Sequence, residues 1–483
     1  MTAVEHPARI PFPVVDEVAR HCLQDEEPET VHIEVHLPGP LDPPRLCKAF
    51  TEALQRHPRI LMREAPGRWY RRRYEWELTG EPDVEVVSFP PPTRDALRDA
   101  RIRALTEAPP LSLSPPIRLE VVANVAAGSR ADSAAGSRAA GAMGVPPLER
   151  SREWGRVGAA APRDAGLRTP PQDPTGTVLF LTINHTALDG PACLRVLATA
   201  AELYSGVDNS PTAPPARAPE TPQVPPDTPS NWTPPARVAP GTPAPSPGNG
   251  MLVTDLPLPH RPKGSPYTVN DQLMVTTALT IAHWNREHGT LPHSRLRSSG
   301  GTPIRPLRIT MPVDNRPRDT TMPIGNGTRL VEVPFSPDEL TPTDMDTLLR
   351  RTATRTRALK SLSRPQLGHG AALLTAPVLP VPWRAALTRG LRRAAAPWTS
   401  TTLLSNIGRV PYPLDFGEEA GRAHAVWFSA PARMPRGLTV TTASTAGRLH
   451  LALRWSRTLL SHGDGAHLRD LFEHYLHTTE VTR

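Results

Sequence analysis

The sequence predicts a layered fold of the α/β or α+β class that occurs twice along the chain. Both halves of the 483 residues contain strand patterns and helix patterns joined by long connections, as expected of sheets covered by helices. Between the halves, 14 prolines occur from Pro211 to Pro247, and so proline-rich a segment sustains neither a helix nor a strand ladder. We therefore expect an N-terminal lobe over residues 1–205, a proline-rich linker over 206–262 and a C-terminal lobe over 263–483.

The N-terminal half begins with a strand and a helix. Apolar and polar residues alternate over 31–37, which predicts a half-buried strand. Residues 43–57 place five apolar side chains on one helical face and end before a proline. Two further strands are predicted, ending near Val125 and at Asn184, and the second is apolar on both faces, as expected of a central strand. The segment between them, about 126–175, is small and polar without either period, so we expect a disordered insertion there.

The C-terminal half opens with a long helix. Thr268 and Asp271 form the Thr-x-x-Asp pattern of a capping box before a run of apolar residues at helical spacing. The chain closes with an amphipathic helix whose apolar face contains Leu468, Leu471 and Phe472. Four strands are predicted between these helices, over residues 307–313, 328–335, 438–444 and 448–456.

Composition excludes several classes of protein. The three cysteines, Cys22, Cys47 and Cys193, are too few and too far apart for a disulfide framework or a thiolate zinc site. No apolar run approaches the ~18–20 residues of a bilayer-spanning helix, and the N-terminus lacks a secretory pattern. Only 3 of the 55 basic residues are lysines, so the net charge of +8 indicates a broadly arginine-rich, solvated surface. We expect a cytoplasmic protein with no membrane span and no nucleic-acid partner.

One stretch combines residues that can carry chemistry. The predicted central strand runs into Asn184 and His185, and Asp189 and Gly190 precede an amphipathic helix. An imidazole where a rigid strand meets a loop is held in place yet accessible, and it can accept and return a proton near neutral pH. Asp189 can orient the imidazole or fix the loop through an arginine, and Gly190 allows substrate or backbone to approach closely. His185 and Asp189 supply at most two ligands, so we expect no metal.

These residues resemble the acyltransferases with the chloramphenicol acetyltransferase fold, which include condensation domains, wax ester synthases and polyketide-associated acyltransferases. The signature of that superfamily is HHxxxDG, and here it reads NHTALDG, with Asn184 in place of the first histidine. The capped helix from Thr268, the segments MPVDNRPRD and IGNGTRL, and LLSNIGRVPYPLDFG also match in the same order. Standalone condensation proteins are the most similar group.

The resemblance implies two lobes of like fold that form a V-shaped cleft with a central tunnel, and it places His185 at the centre. It implies an acyl thioester donor, on coenzyme A or on the phosphopantetheine of an acyl carrier protein, and an alcohol or amine acceptor that His185 deprotonates; no cofactor is bound tightly. Asp189 would pair with Arg316 of the second lobe, and the Gly190 amide would help hold the oxyanion. Ser405 or Asn406 would donate a hydrogen bond beside the tunnel; alternatively, Asn406 and Gly408 only shape a turn.

Two functions remain open on this basis. The first is an acyltransferase that forms an ester or amide in specialised metabolism, with His185 as the general base. The second is a non-catalytic condensation-like module that binds a carrier protein, and the substitution of the first histidine by Asn184 favours it. An asparagine still donates and accepts hydrogen bonds at the strand end, so turnover is compatible with it.

Overall fold

In a computed structural model of the chain, the described residues are 8–24, 26–126, 175–211, 233–289, 305–314, 316–317, 321–362, 366–367 and 369–480. The disordered insertion predicted over about 126–175 lies outside them except at its two ends, and so do residues 212–232 of the predicted linker. Among the described helices, none is both long and apolar enough for a bilayer span.

The described residues form helices and strands throughout both halves, which confirms the predicted fold class. The helices are α1 Val14–His21, α2 Pro43–Arg56, α3 Ala96–Thr106, α4 Gly190–Ser205, α5 Val269–His288, α6 Met345–Ser361, α7 His369–Thr375, α8 Val381–Ala394, α9 Gly417–Ala420 and α10 His462–Thr478. The strands are β1 Arg9–Pro11, β2 Thr30–Leu37, β3 Met62–Glu64, β4 Glu75–Leu78, β5 Val87–Ser88, β6 Ile117–Ala126, β7 Thr175–Asn184, β8 Asn249–Pro257, β9 Leu307–Asp314, β10 Thr328–Phe335, β11 Thr402–Arg409, β12 Ala425–Ser429, β13 Leu438–Thr445 and β14 Arg448–Ser456.

A five-stranded sheet in the order β12-β2-β7-β6-β5 forms the centre of the N-terminal half. Helices α2 and α4 cover one face of this sheet, where Ile33 and Val35 of β2 join the apolar core. Helix α3 covers part of the other face with Ala96, Ala100 and Ala104. The strand β7, which ends at the candidate catalytic loop, is therefore central and buried on both sides, as its sequence predicts.

The alternating strand β2 is buried on both faces, which differs from the half-buried strand predicted from its sequence. The Glu34 carboxylate accepts two hydrogen bonds from the buried Arg101 guanidinium of α3, at 2.9 Å and 2.7 Å. Burial alone would raise the pKa of Glu34, but Arg101 and His36 hold it well below its usual range. The polar residues of β2 face an ion pair and the other half of the molecule. The sequence pattern alone predicts that the same residues face solvent.

The C-terminal half is built on a six-stranded sheet in the order β10-β9-β11-β13-β14-β8. Helix α5 begins with the predicted capping box, since the Thr268 and Asp271 side chains each accept from the other's backbone amide. The linker predicted over 206–262 does not extend through residues 249–257, because these form β8 and pair along their whole length with β14. Met251, Leu252, Val253 and Leu256 of β8 are buried, so this part of the predicted linker belongs to the folded C-terminal half.

One strand crosses between the halves. The strand β12 belongs by sequence to the C-terminal half, yet it pairs antiparallel with β2, so that Trp427 lies opposite Glu34. The Trp427 indole donates to the Thr254 carbonyl of β8 at 3.0 Å. The buried Arg454 of β14 donates to the Thr30 carbonyl of β2 at 2.7 Å, and burial lowers the pKa of Arg454 to about 9. The boundary between the predicted lobes is thus a shared, hydrogen-bonded interface.

We expect Arg101→Met to lower the free energy of unfolding by about 3–5 kcal/mol at neutral pH, because it leaves the Glu34 carboxylate buried without its cation. Urea denaturation followed by circular dichroism measures this change. The control is Arg56→Met, which removes the exposed pair with Glu52 on α2 and is expected to cost about 0.5 kcal/mol or less. Equal losses in the two variants would contradict the assignment.

Candidate active site

The loop that follows β7 is held by the side chain at the first position of the motif. Asn184 is buried, and its amide nitrogen donates to the Pro109 carbonyl at 2.9 Å. Its side-chain oxygen accepts from the Thr186 amide at 3.1 Å, and its backbone carbonyl accepts from Ala187 at 3.1 Å. Both ends of the Asn184 amide group therefore fix the turn that presents His185.

His185 is anchored through its backbone and through one ring nitrogen. The backbone amide donates to the Glu29 carbonyl at 2.8 Å, and Nδ1 lies 3.0 Å from the Leu188 carbonyl oxygen. A carbonyl oxygen only accepts, so this contact places the proton of the neutral imidazole on Nδ1. The lone pair is then on Nε2, which is the form in which a histidine can act as a base.

Asp189 connects the catalytic loop to both the following helix and the other half of the chain. As the N-cap of α4, its Oδ1 accepts from the Ala192 amide at 3.1 Å. Its Oδ2 accepts from Arg316 Nη2 at 2.7 Å and from the Gly327 amide at 2.9 Å. The carboxylate is buried, so all of these donors stabilise a charge that water does not reach.

Arg316 is held on its own side by the end of β9. Its guanidinium donates to both carboxylate oxygens of Asp314, at 3.0 Å and 2.8 Å, and to the Gly325 carbonyl at 2.9 Å. Burial alone would lower the pKa of Arg316. The hydrogen bonds to Asp314 and the charge of Asp189 outweigh burial, so the pKa of Arg316 lies above its usual value. The structure thus places Arg316 against Asp189, across the boundary between the halves.

Gly190 is the first residue of α4 and lines the same cavity as His185. A Cβ atom at this position would lie 3.2 Å from Cδ1 of Phe428, which is tighter than an ordinary contact. The absent side chain therefore lets β12 pack against the helix start. The backbone amides at a helix N-terminus carry partial positive charge toward whatever faces them.

Two residues that sequence reasoning missed support the catalytic loop from the other side. The Asn326 amide nitrogen lies 3.2 Å from the His185 carbonyl oxygen and 3.1 Å from that of Thr186. The same nitrogen donates to Oδ1 of Asp16 on α1 at 2.9 Å, and Trp76 Nε1 donates to Oδ2 at 2.9 Å. Asn326 lies in the IGNG segment that matches the acyltransferases, so the sequence could have indicated it as a site residue. Asp16 has no such signal, because it looks locally like any acidic residue of an amphipathic helix.

Asp16 is buried within electrostatic reach of His185. Burial raises the pKa of Asp16 to about 6, against the lowering effects of the hydrogen bonds from Asn326 and Trp76 and of the charge on Arg59. Its carboxyl group therefore titrates in the range where enzymes commonly work.

A cavity of about 400 Å³ lies between the two halves, where the resemblance implies a tunnel. Both halves contribute to its wall, which combines apolar side chains with many polar and charged ones. The apolar lining includes Val15, Val18 and Leu194 from the N-terminal half and Pro312, Leu403 and Phe428 from the C-terminal half. The polar and charged lining includes Glu29, His185, Asp189, Asp314, Thr328, Arg392, Ser405, Arg433 and Arg436, and Gly190 also contributes. A concave cavity in which polar groups converge between apolar walls is typical of a small-molecule site.

The predicted loop at Ser405 and Asn406 is part of β11, with a register shift between Asn406 and Gly408. Asn406 lines the cavity, but its side-chain nitrogen donates to Asn270 at 3.2 Å and its oxygen accepts from the Gly408 amide at 2.9 Å. Gly408 has a φ of 74°, which a glycine adopts without strain. Asn406 therefore shapes the bulge. Of the two residues, Ser405 is the one whose side chain can hydrogen-bond to a molecule in the cavity.

Known proteins were compared with the chain by family, by sequence and by structure. No protein-family model matches it. Two uncharacterized proteins of Mycobacterium tuberculosis, from strains CDC 1551 and H37Rv, are each 24% identical to it over 442 residues, covering 84% of this chain and 84% of theirs.

Solved structures are similar over almost the whole chain. The condensation domain of the monacolin K polyketide synthase MokA has a TM-score of 0.57 at 12% identity, covering 98% of this chain and 97% of that one. The trichothecene 15-O-acetyltransferase of Fusarium sporotrichioides also has a TM-score of 0.57, at 12% identity and 98% and 96% coverage. A variant of the starter condensation domain of rhizomide synthetase, solved with C8-CoA, has a TM-score of 0.57 at 13% identity, with 98% and 95% coverage. The chain thus has the same fold as these condensation and acetyltransferase domains over almost its whole length.

Proposed function

We propose that the protein is an acyltransferase that moves an acyl group from a thioester to a hydroxyl or amine acceptor. The observation that carries this proposal is the placement of His185: it lines a cavity shared by both halves, and its Nδ1 is engaged by the Leu188 carbonyl. In this tautomer Nε2 carries the lone pair, so it can accept a proton from a molecule in the cavity and return it.

In the proposed reaction, Nε2 of His185 takes the proton of the acceptor as its oxygen or nitrogen attacks the thioester carbonyl carbon. The new C–O or C–N bond forms, the C–S bond breaks, and the imidazolium returns its proton to the leaving thiolate. Holding both substrates in one cavity makes the attack effectively intramolecular, so no acyl-enzyme is required.

Two groups that line the same cavity as His185 are suited to the negative charge that develops on the carbonyl oxygen. The Gly190 amide stands at the positive end of the α4 dipole, and Ser405 of β11 brings a hydroxyl group to the cavity wall. Preorganised donors of this kind stabilise an oxyanion at no reorganisation cost. Asp189, Arg316, Asn326 and Asn184 act as positioning residues, because their side-chain hydrogen bonds hold the loop that presents His185.

The donor in this proposal is an acyl group on coenzyme A or on the phosphopantetheine of a carrier protein. A similar structure was solved with C8-CoA and another is named a 15-O-acetyltransferase, which supports an acyl thioester. We further propose a cytoplasmic role in specialised metabolism. The alternative, a non-catalytic module that binds a carrier protein, is separated from turnover by the experiment below.

We expect His185→Ala to lower turnover by about 10²- to 10⁴-fold, since this is the usual contribution of a positioned general base. Purified protein is incubated with a panel of acyl-CoA and carrier-linked thioesters and candidate acceptors. Released thiol and acylated product are then measured by mass spectrometry. The control is His260→Ala, which changes an exposed histidine outside the cavity.

Saturable binding of a thioester without its consumption, or a His185→Ala variant that works within tenfold of the unchanged protein, would contradict the catalytic role. The first result would support the carrier-binding module.

We expect Arg316→Met to lower both turnover and the free energy of unfolding, the latter by about 3–5 kcal/mol, because it leaves the Asp189 carboxylate buried without its cation. Arg316→Lys keeps the charge but not the planar fork that reaches Asp189 and Asp314 together, so we expect an intermediate loss. Thioester turnover and urea denaturation measure the two effects, with the exposed Arg422→Met as the control. Wild-type values in Arg316→Met would show that this link is dispensable.

The raised pKa of Asp16 predicts a pH dependence of stability. A carboxyl whose pKa is about 6 in the folded chain and about 3.9 when unfolded favours the folded state most below the unfolded value, and this contribution is lost as pH rises through 6. Between pH ~4.5 and ~7.5 we expect the unchanged protein to lose about 2 kcal/mol more unfolding free energy than Asp16→Asn. Urea denaturation at the two pH values measures this difference, and a parallel dependence in both proteins would contradict it.

A further inference from the structure

A second surface of the molecule exposes large apolar side chains together with arginines. It consists of residues 67–73, in the segment before β4, and residues 370–398, which contain most of α7 and all of α8. We call these two segments the basic-apolar face. They contact one another, because the Val381 amide donates to the Arg71 carbonyl at 2.8 Å.

The large apolar side chains of this face are exposed to solvent. Leu373 is 80% exposed, Val378 75%, Trp383 68% and Trp69 76%. The other large apolar residues exposed on it are Tyr70, Leu379, Leu387, Leu391 and Trp398. Single exposed apolar residues are common on proteins, but a contiguous group of this size marks an interaction surface.

Helix α8 shows how the sequence produces this exposure. Its inward residues, Val381, Arg384, Ala385 and Thr388, repeat at helical spacing and are buried. Trp383, Leu387 and Leu391 are spaced four residues apart and form an outward stripe. The inward face is anchored on α1 through the ion pair of Arg384 with Glu17. Helix α8 therefore presents a row of large apolar side chains to solvent beside the exposed Arg389, Arg392 and Arg393, where a surface helix is usually polar throughout.

The charges on the basic-apolar face have one sign. The two segments contain eight arginines and no aspartate or glutamate. Arg71 and Arg384 are paired with Glu64 and Glu17, and Arg72, Arg73 and Arg393 are exposed. Tryptophan and leucine flanked by arginines, without acidic residues, are the composition of helices that lie in the interface of an anionic bilayer.

The basic-apolar face also borders the cavity of the candidate active site. Leu367, Arg392 and Thr399 line the cavity and flank or belong to this face. Helix α1, on which α7 and α8 pack, contributes Val15 and Val18 to the cavity wall. Contact of this face with a lipid surface would bring the cavity close to that surface.

We propose that the basic-apolar face docks the protein peripherally on an anionic phospholipid surface, with Trp69, Trp383, Leu387 and Leu391 entering the headgroup region and the arginines contacting lipid phosphates. A bilayer provides one large surface of uniform negative charge, which matches a face whose arginines outnumber the exposed carboxylate of Glu75 beside them. The proposal does not depend on acyl transfer.

The test is sedimentation of the full chain with vesicles of phosphatidylcholine alone and of phosphatidylcholine with an equal share of phosphatidylglycerol. We expect binding to the anionic vesicles that weakens as salt is raised, and little binding to the neutral ones. The triple variant Trp383→Ser, Leu387→Ser, Leu391→Ser should bind at least about tenfold more weakly, because it removes the inserted apolar groups. Its matched control is Val84→Ser, Val207→Ser, Leu258→Ser, which changes three similarly exposed residues elsewhere.

The charge contribution is tested by Arg73→Glu with Arg393→Glu. Each basic residue near an anionic surface contributes about fivefold to partitioning, so the double reversal should weaken binding by more than about twentyfold. Circular dichroism and thioester turnover with a short, water-soluble acyl donor verify that all variants remain folded. No sedimentation with anionic vesicles, or equal sedimentation of the triple variant and its control, would overturn the proposal.

A third arm uses an acidic acyl carrier protein in its phosphopantetheine-bearing form. If the triple variant loses carrier binding while its vesicle binding is unchanged, the face is a protein-docking site and the lipid proposal is wrong. Failure of vesicle binding with normal turnover leaves acyl transfer intact, so the two proposals fail separately.

Discussion

The loop that carries His185 depends on one buried carboxylate. Asp189 caps α4, accepts from the Arg316 guanidinium and accepts from the Gly327 amide, so one side chain joins β7, α4 and the end of β9. A buried carboxylate is stable only while its donors are in place. The geometry around His185 therefore exists only when the two halves of the chain are assembled against each other.

Around this carboxylate the loop is held by polar contacts from several directions. Asn184 supports it from β7, and Asn326 supports it from the C-terminal half through the His185 and Thr186 carbonyls. Asp16 in turn holds the Asn326 amide, so α1 is coupled to the same loop. The substitution of an asparagine for a histidine at position 184 is consistent with this arrangement, because the position is used for hydrogen bonding and an amide satisfies both directions of it.

Local patterns in the sequence were sufficient for most elements and for the residues that form the loop. The capping box at Thr268 and the apolar strand ending at Asn184 depend on neighbouring residues, and they were predicted correctly. The pairing of β12 with β2 and of β8 with β14 was missed, because strand pairing between distant segments leaves no local signal. Glu34 was read as solvent-facing for the same reason, since its partner Arg101 lies 67 residues away in sequence. Asp16 shows the limit most clearly, because its burial arises only from the folded surroundings.

The strand β12 has a consequence for recombining this protein with its relatives. Because 425–429 complete the N-terminal sheet while the flanking residues belong to the C-terminal half, no single cut in the chain separates the two sheets cleanly. A chimera that takes its first half from one parent and its second from another would place a foreign strand beside Glu34 and His32. A chimera of such proteins should therefore take that strand from the parent that supplies the N-terminal half, although the strand lies in the C-terminal half of the sequence.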